Sequence, residues 1–389
     1  MTGDKLSEYL IFRSSVKRVL LIVGLWPKEN PSIFYRFLPL LQLTLNFSTV
    51  LASAGFVRLH INNMNRAIKG ISVIISFTGN VLKSLCLLLN RQNAKKLHDI
   101  LDSKFFKLLD KPDLSNVILD EVTIFRRLAS LMTSLTYVSC FIYITRPIIT
   151  IIYQQLQHIH PIRYGLVLPG VYPWKIVPNG LLYKMHYVLG AMSAILAFAV
   201  TTGLDLLFSL DVFQLMAQFR DMSRRIGKIN AKNGDIEALQ QCVIQYEILI
   251  QCRDILQKIY GPILLWTMIV NAGTLCCQMF EFVKMSEISA QRAIFAFVYI
   301  LFKLLETFHY AWVGSRLTEE TEKYKAAIYA CNWHGNKRFM SSMVIMLGQK
   351  PWILTACNFS NISINIFTNV LNTALSYFFL LKTVQDKNI

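Results

Sequence analysis

The chain has 389 residues, 54% hydrophobic and only 16% charged, with a formal net charge of +17 and a mean hydropathy of +0.42. A soluble globular domain carries about 25% charged residues, so this composition excludes an ordinary soluble domain and points to a chain immersed in lipid. Seven apolar stretches are long enough to span as helices of about 20 residues, near 33–58, 67–90, 128–153, 183–210, 260–284, 291–314 and 351–384.

Residues 1–32 read as a cytoplasmic N-terminal segment. Within it, 4–25 is expected to lie as an amphipathic segment against the inner membrane face. The apolar run Val19–Trp26 is short, and Pro27 follows without a small-residue cleavage pattern. The first span then acts as an uncleaved targeting signal. Residues 33–210 carry spans one to four and the long outer loop 154–182. Pro161, Pro169, Pro173 and Pro178, with Tyr164, Tyr172 and Trp174, suit either an ordered lid over a cavity or a loose connector. Residues 211–350 place spans five and six (260–284 and 291–314) between mixed-charge segments too polar to span and too patterned to be disordered. The fifth and seventh membrane helices are therefore expected to begin as cytosolic extensions that pack together. Lys83, Asp205, Lys303 and Glu306 lie inside spans, where each costs about 2.5–3.5 kcal/mol at mid-bilayer. Mutual pairing or snorkelling explains them better than a part in ion conduction.

The final segment, 351–389, holds the strongest pattern. Asn358, Asn361, Asn365, Asn369 and Asn372 recur at intervals of 3, 4, 4 and 3 residues. On a helix they occupy a stripe roughly 80° wide, which Ser376, Leu380 and Thr383 continue. Hydrocarbon cannot satisfy an amide, so the stripe requires either water or neighbouring helices, a conduction path or a subunit seam.

Basic charge sets the orientation. With the N-terminus inside, the inner segments 1–32, 91–127, 211–258 and 315–350 hold 26 of the 40 Lys and Arg, whereas the outer segments hold only Arg66, Arg163, Lys175 and Lys387. The positive-inside rule thus predicts a cytoplasmic N-terminus and an extracellular C-terminus, with the basic surface facing anionic lipid rather than nucleic acid. None of the eight cysteines lies in an expected outer loop, which argues against a structural disulfide. Cys331 and His334 form one short pair without a second half, too little for zinc. The glycosylation triplets at Asn46, Asn358 and Asn361 fall inside spans and read as chance. There is no internal repeat, no G-x-S-x-G, no H-E-x-x-H and no Walker loop, so neither an enzyme nor a bound cofactor is expected. A G-protein-coupled receptor would need the opposite topology.

Several stretches resemble insect odorant receptors. Thr202-Gly203-Leu204-Asp205-Leu206-Leu207-Phe208 is similar to the fourth-span signature of that family, as is the stretch from Tyr310 through Trp312 and Gly314 to Trp333. Ala374-Leu375-Ser376-Tyr377-Phe378-Phe379-Leu380-Leu381-Lys382-Thr383 resembles its C-terminal motif, and Trp26-Pro27 also fits. Ser315 departs from the Asn often found there. The resemblance implies an all-α membrane protein with seven transmembrane helices, assembled as a tetrameric, ligand-gated, non-selective cation channel. Its pore would be lined by the seventh helix, and its partners would be odorant co-receptor subunits. Without a long cytosolic insertion between spans four and five, the chain is similar to a tuning subunit rather than the co-receptor. The same resemblance implies the dendrite membrane of olfactory neurons.

On that reading the gate lies at Leu380 with Thr383 and Val384, above Ser376, Asn372 and Asn369. An apolar ring there would block ions by dewetting; interface packing is the lesser alternative for Leu380. The resemblance places a pocket for small volatile or apolar ligands among spans two, three, four and six. At those depths the chain offers Ile74, Phe77, Thr78, Tyr137 and Phe141, and further along Ile144, Met192, Ile195, Phe295 and Tyr299. The competing reading is a non-conducting or metabotropic, gustatory-receptor-like chemoreceptor, in which the polar stripe only joins helices.

Overall fold

The computed structural model describes residues 2–28, 30–229, 236–283, 290–332, 337–349 and 352–386. They form helices α1 (Thr2–Ile22), α2 (Ile33–Leu59), α3 (Met64–Leu89), α4 (Arg91–Leu109), α5 (Pro112–Ile118), α6 (Val122–Leu156) and α7 (Leu181–Ile226). Helices α8 (Ile236–Val283), α9 (Ala290–Ala330) and α10 (Lys337–Leu347) follow, then a hairpin of β1 (Thr355–Ala356) and β2 (Ser360–Asn361), and finally α11 (Ile364–Asp386). Among the described residues, α2, α3, α6, α7 and α8 contain windows long and apolar enough to cross a membrane, and α11 has a shorter apolar stretch.

Local sequence explains the starts of these helices. The Ser32 hydroxyl accepts from the Tyr35 amide at 3.3 Å, and the Asn63 side chain accepts from the Arg66 amide at 3.2 Å. Each satisfies one of the amides that a first turn leaves without a partner. Near the middle of the chain the helices outrun membrane length. The stretch expected at 183–210 continues to Ile226, and the one expected at 260–284 begins at Ile236.

Helix α7 is the axis of the fold, packed by α1, α2, α3, α4, α5, α6, α8 and α9. Every residue from Val200 to Met222 is buried, although this stretch contains Asp205, Asp211, Gln214, Gln218, Arg220 and Asp221. A helix buried on all sides is ordinarily apolar all round, so each of these groups needs a partner. Arg220 donates to the Asp120 carbonyl at 2.7 Å and pairs with Glu121 and Glu320, each at 3.2 Å. Gln214 donates to Asp102 at 2.7 Å and to the Tyr9 hydroxyl at 2.9 Å, while Tyr260 donates to Asp211 at 3.1 Å.

Helix α1 departs from the expected surface-lying segment. Its apolar face, Tyr9, Phe12, Val16 and Leu20, is fully buried against α6 and α7, and Leu20 approaches Gly203 so closely that a Cβ there would sit 2.8 Å away. The face is spent on protein rather than lipid. All eight cysteines are free thiols.

Candidate functional site

A cavity of about 1270 Å³ opens between α3, α6, α7, α8 and α9, beneath the coil that joins α6 to α7. That coil is tied down, as the lid reading requires. The Val171 amide donates to the Ala52 carbonyl at 2.9 Å, and the Ser53 hydroxyl donates to the Pro169 carbonyl at 2.8 Å. Gln154 holds the backbone of Arg163 from both sides, and Tyr183 donates to the Gly165 carbonyl at 2.9 Å. Outside these contacts, Tyr172, Trp174 and His186 form an aromatic cluster in which the Trp174 indole N–H donates to His186 at 3.2 Å.

One face of α3, with Ser72, Val73, Ser76, Phe77 and Asn80, supplies a wall of the cavity. Ala194, Ala197, Phe198 and Thr201 of α7 face it, with Tyr299, Phe302 and Lys303 of α9. Hydroxyl contacts join the walls: Ser76 and Tyr299 lie 3.1 Å apart, and Thr201 donates to Asn80 at 2.6 Å. Apolar area with a few convergent polar groups is the usual make-up of a small-molecule site.

Of the residues expected to bind ligand, Phe77 and Tyr299 line this cavity. Ile144 packs beside it, against the cluster that includes Val73, Phe77 and Leu168. Ile74 and Thr78 belong to α3 but are turned about 100° from Val73 and Phe77, and Thr78 is exposed. Tyr137, Phe141, Met192 and Ile195 point outward, 62%, 69%, 42% and 45% exposed. The side chain of Phe295 lies outside the described residues. Depth alone selected these positions. The missed signal was the spacing of Ser72, Ser76 and Asn80, small polar groups four residues apart on one helical face.

Below the cavity the in-span charges find one another. Lys303, at the cavity floor, donates to Glu306 at 2.8 Å; Lys83 donates to Glu306 at 2.8 Å and to Asp205 at 2.9 Å. Tyr310 also donates to Asp205, and His309 lies 2.5 Å from the Ser209 hydroxyl. Two lysines and two carboxylates balance, joining α3, α7 and α9. The pairing expected from the sequence is thus a single cluster, with Asp205 fully buried.

The last helix is shorter than expected. Asn358 and Asn361 are not helical: Asn361 lies in β2, and Asn358 sits in the turn with φ of 62°, after Cys357 at 51°. The Asn358 amide and side chain both bond the Thr355 hydroxyl, at 3.3 and 3.1 Å. Asparagine tolerates the left-handed region and bonds its own backbone, which favours turns over helices. The remaining asparagines do share a face of α11. Ile366, Val370, Ala374 and Phe378 form the buried face against α8 and α9. Asn365, Asn369, Asn372, Ser376, Leu380 and Thr383 are exposed, centred about 140° round the helix from it. Leu380 is 58% exposed and Tyr377 56%; the side chain of Val384 is outside the described residues.

Other motif residues have structural partners. The Trp312 ring lies 4.9 Å from Phe125, and a Cβ on Gly314 would stand 2.5 Å from Ile362 Cγ2. Trp333 lies outside the described residues. Ser315, the departure noted above, accepts from the first amide of α11, Ile364, at 3.1 Å.

Comparison with known proteins agrees with this architecture. A sequence profile described as 7tm Odorant receptor matches residues 63–375. Odorant receptor 13a of Drosophila melanogaster is 22% identical, covering 78% of this chain and 77% of its own length. Odorant receptor 10 of Aedes albopictus is also 22% identical, covering 82% and 84%. The odorant receptor coreceptor of Anopheles gambiae is 23% identical over a shorter region, 42% of this chain and 38% of its own. The structure of the insect olfactory receptor OR5 from Machilis hrabei in complex with eugenol superposes with a TM-score of 0.79 at 15% identity, covering 97% of this chain and 100% of that one. With most of its length matched by the family profile, this multi-pass membrane chain belongs to the insect odorant receptor family.

Proposed function

We propose that the chain is the ligand-binding subunit of an odorant-gated, non-selective cation channel, assembled as a heterotetramer with odorant co-receptor subunits. In this reading seven helices cross the membrane, α9 and α11 included, with the N-terminus cytoplasmic and the C-terminus extracellular. The site of action is the plasma membrane, in the dendrites of olfactory sensory neurons. Small hydrophobic or volatile molecules enter the lidded cavity, and permeating cations pass along α11.

The observation that carries the proposal is the exposed polar face of α11. Three asparagines and Ser376 in register cannot face hydrocarbon without losing several kcal/mol of hydrogen bonding. They need water or an adjoining subunit, and a helix placed beside a fourfold axis has both. Leu380, on the same face and one turn beyond Ser376, would then close the path with an apolar ring, with Thr383 and Val384 beside it. Asn372 and Asn369 would wet the path below.

Expression with and without a co-receptor under voltage clamp tests the reading. The expected outcome is an odour-evoked current that starts within milliseconds and persists when G-protein signalling is blocked. An assembled complex that reaches the surface yet passes no ligand-evoked current over a broad odorant panel would overturn it.

A further inference from the structure

We propose that the cavity takes a small apolar molecule with one hydroxyl, an alcohol or a phenol, whose O–H group is held between Gln278 of α8 and Ser72 of α3. This deepens the preceding reading and rests on the cavity being the ligand site.

Gln278 and Ser72 both line the cavity, and each is only 5% exposed. The Gln278 Nε2 group donates to the Ser72 hydroxyl at 3.1 Å. Gln278 Oε1 is buried and has no partner. Among the described residues, it is the one buried, unpartnered side-chain atom that belongs to a residue of the cavity wall. The polar groups farther along α3 are already joined: Ser76 to Tyr299, Thr201 to Asn80, and Asn80 to the Ser76 carbonyl at 3.2 Å. An apolar cluster that includes Ile68, Cys277 and Phe280 packs where α3 meets α8. In such surroundings a carbonyl without a donor forfeits a hydrogen bond that water would otherwise supply.

The pair is matched to a hydroxyl. Ser72 accepts from Gln278 and keeps its own hydrogen to give, whereas Gln278 Oε1 still lacks one. Turning the amide over exchanges these roles and leaves the same count, one donor and one acceptor. A ligand O–H group satisfies both. An ether oxygen only accepts, so it leaves the amide half-paired, and a hydrocarbon makes neither bond. A site built to bond a hydroxyl discriminates against the analogue that lacks it. The cavity, at about 1270 Å³, has room for the rest of the molecule. From Ser72 its wall passes along α3 to Phe77, about 7.5 Å of helix, with Ala197 and Phe198 of α7 facing it.

The test uses 1-octanol, its isomer 1-methoxyheptane and nonane as probes of matched size. Binding is measured on the detergent-purified full chain, with each probe's concentration taken in the micelle phase so that partition from water does not enter. Current is measured in co-receptor cells. Octanol should bind about tenfold more tightly than the ether, the gain of one further hydrogen bond to a buried acceptor, and nonane most weakly. Gln278→Met should remove the alcohol's advantage while leaving the ether's affinity in place, since Ser72 still serves both. Equal or tighter binding of the ether or nonane, binding of none of the three, or an equal loss of alcohol and ether in Gln278→Met would overturn the proposal. Where the variant folds poorly, the alcohol-to-ether ratio of the unaltered chain decides alone. Octanol preference without current would sink the channel reading and keep this one; odorant currents without alcohol preference would do the reverse.

Discussion

At the scale of single residues, the buried charges are the most constrained feature of this chain. Lys83 touches both Asp205 and Glu306, each at under 3 Å, and all three are buried. A buried pair contributes little net stability over an apolar substitute, but removing one partner is costly, about 3–5 kcal/mol. Lys83→Met should therefore lower the melting temperature sharply and reduce delivery to the cell surface, and a variant that melts with the wild type would show the cluster to be slack. His98 supplies a pH signature from outside the spans. Its ring lies edge-on to Trp26 at 4.8 Å, with Nε2 3.4 Å from Asp102 and with Arg13, Asp99 and Lys17 in range. Burial holds the imidazole below its ordinary value despite Asp102, so the folded chain keeps it neutral where the unfolded chain takes up a proton, near pH 6.5. Its contribution is complete above that point and is lost as pH falls through it. Melts taken from about pH 7.5 to about 5.5 should fall less steeply for His98→Gln than for wild type; parallel curves would refute the assignment.

At the scale of elements, the joint between α9, the hairpin and α11 explains where periodicity misled. The spacing of Asn358 and Asn361 continues the helical stripe, yet the backbone there is claimed by tertiary partners. Gln257 of α8 accepts from the Thr355 amide at 3.0 Å and donates back to the Thr355 carbonyl, acting as a short third strand. The Ile362 amide donates to the Leu354 carbonyl at 2.8 Å. Gly314 lets α9 approach this joint, since a Cβ would stand 2.7 Å from the Ile362 carbonyl oxygen as well as against its side chain. A backbone atom cannot move aside as a flexible side chain can. Gly314→Ala should thus cost about 1–3 kcal/mol of overpacking, read as a fall in melting temperature, and an unchanged melt would show that the joint yields.

At the scale of the whole molecule, α7 is enclosed from Val200 to Met222 while one face of α11 stays bare, so the chain has an inside of its own and a side left for neighbours or water. If Leu380 closes a shared path, Leu380→Ser should raise basal leak or change ion permeation in the assembled complex, whereas packing alone predicts unaltered conduction. Single-channel recording separates the two.

Composition, charge and apolar run length were enough to place this chain in a membrane and to set six of its seven expected stretches on helices, because those properties are local sums that need no partner. The polar face of α11 from Asn365 to Thr383 was legible for the same reason: it is a periodicity. The cavity wall was not. Phe77 and Tyr299 line it, but Tyr137, Phe141, Met192 and Ile195 are as apolar and as well placed in depth, and only the rotation of each helix against its neighbours sends them outward. The break at Thr355–Asn361 likewise depended on Gln257, 98 residues away. Tertiary structure decided which face of each helix looks inward, since that choice is made by packing between segments and not by any one of them.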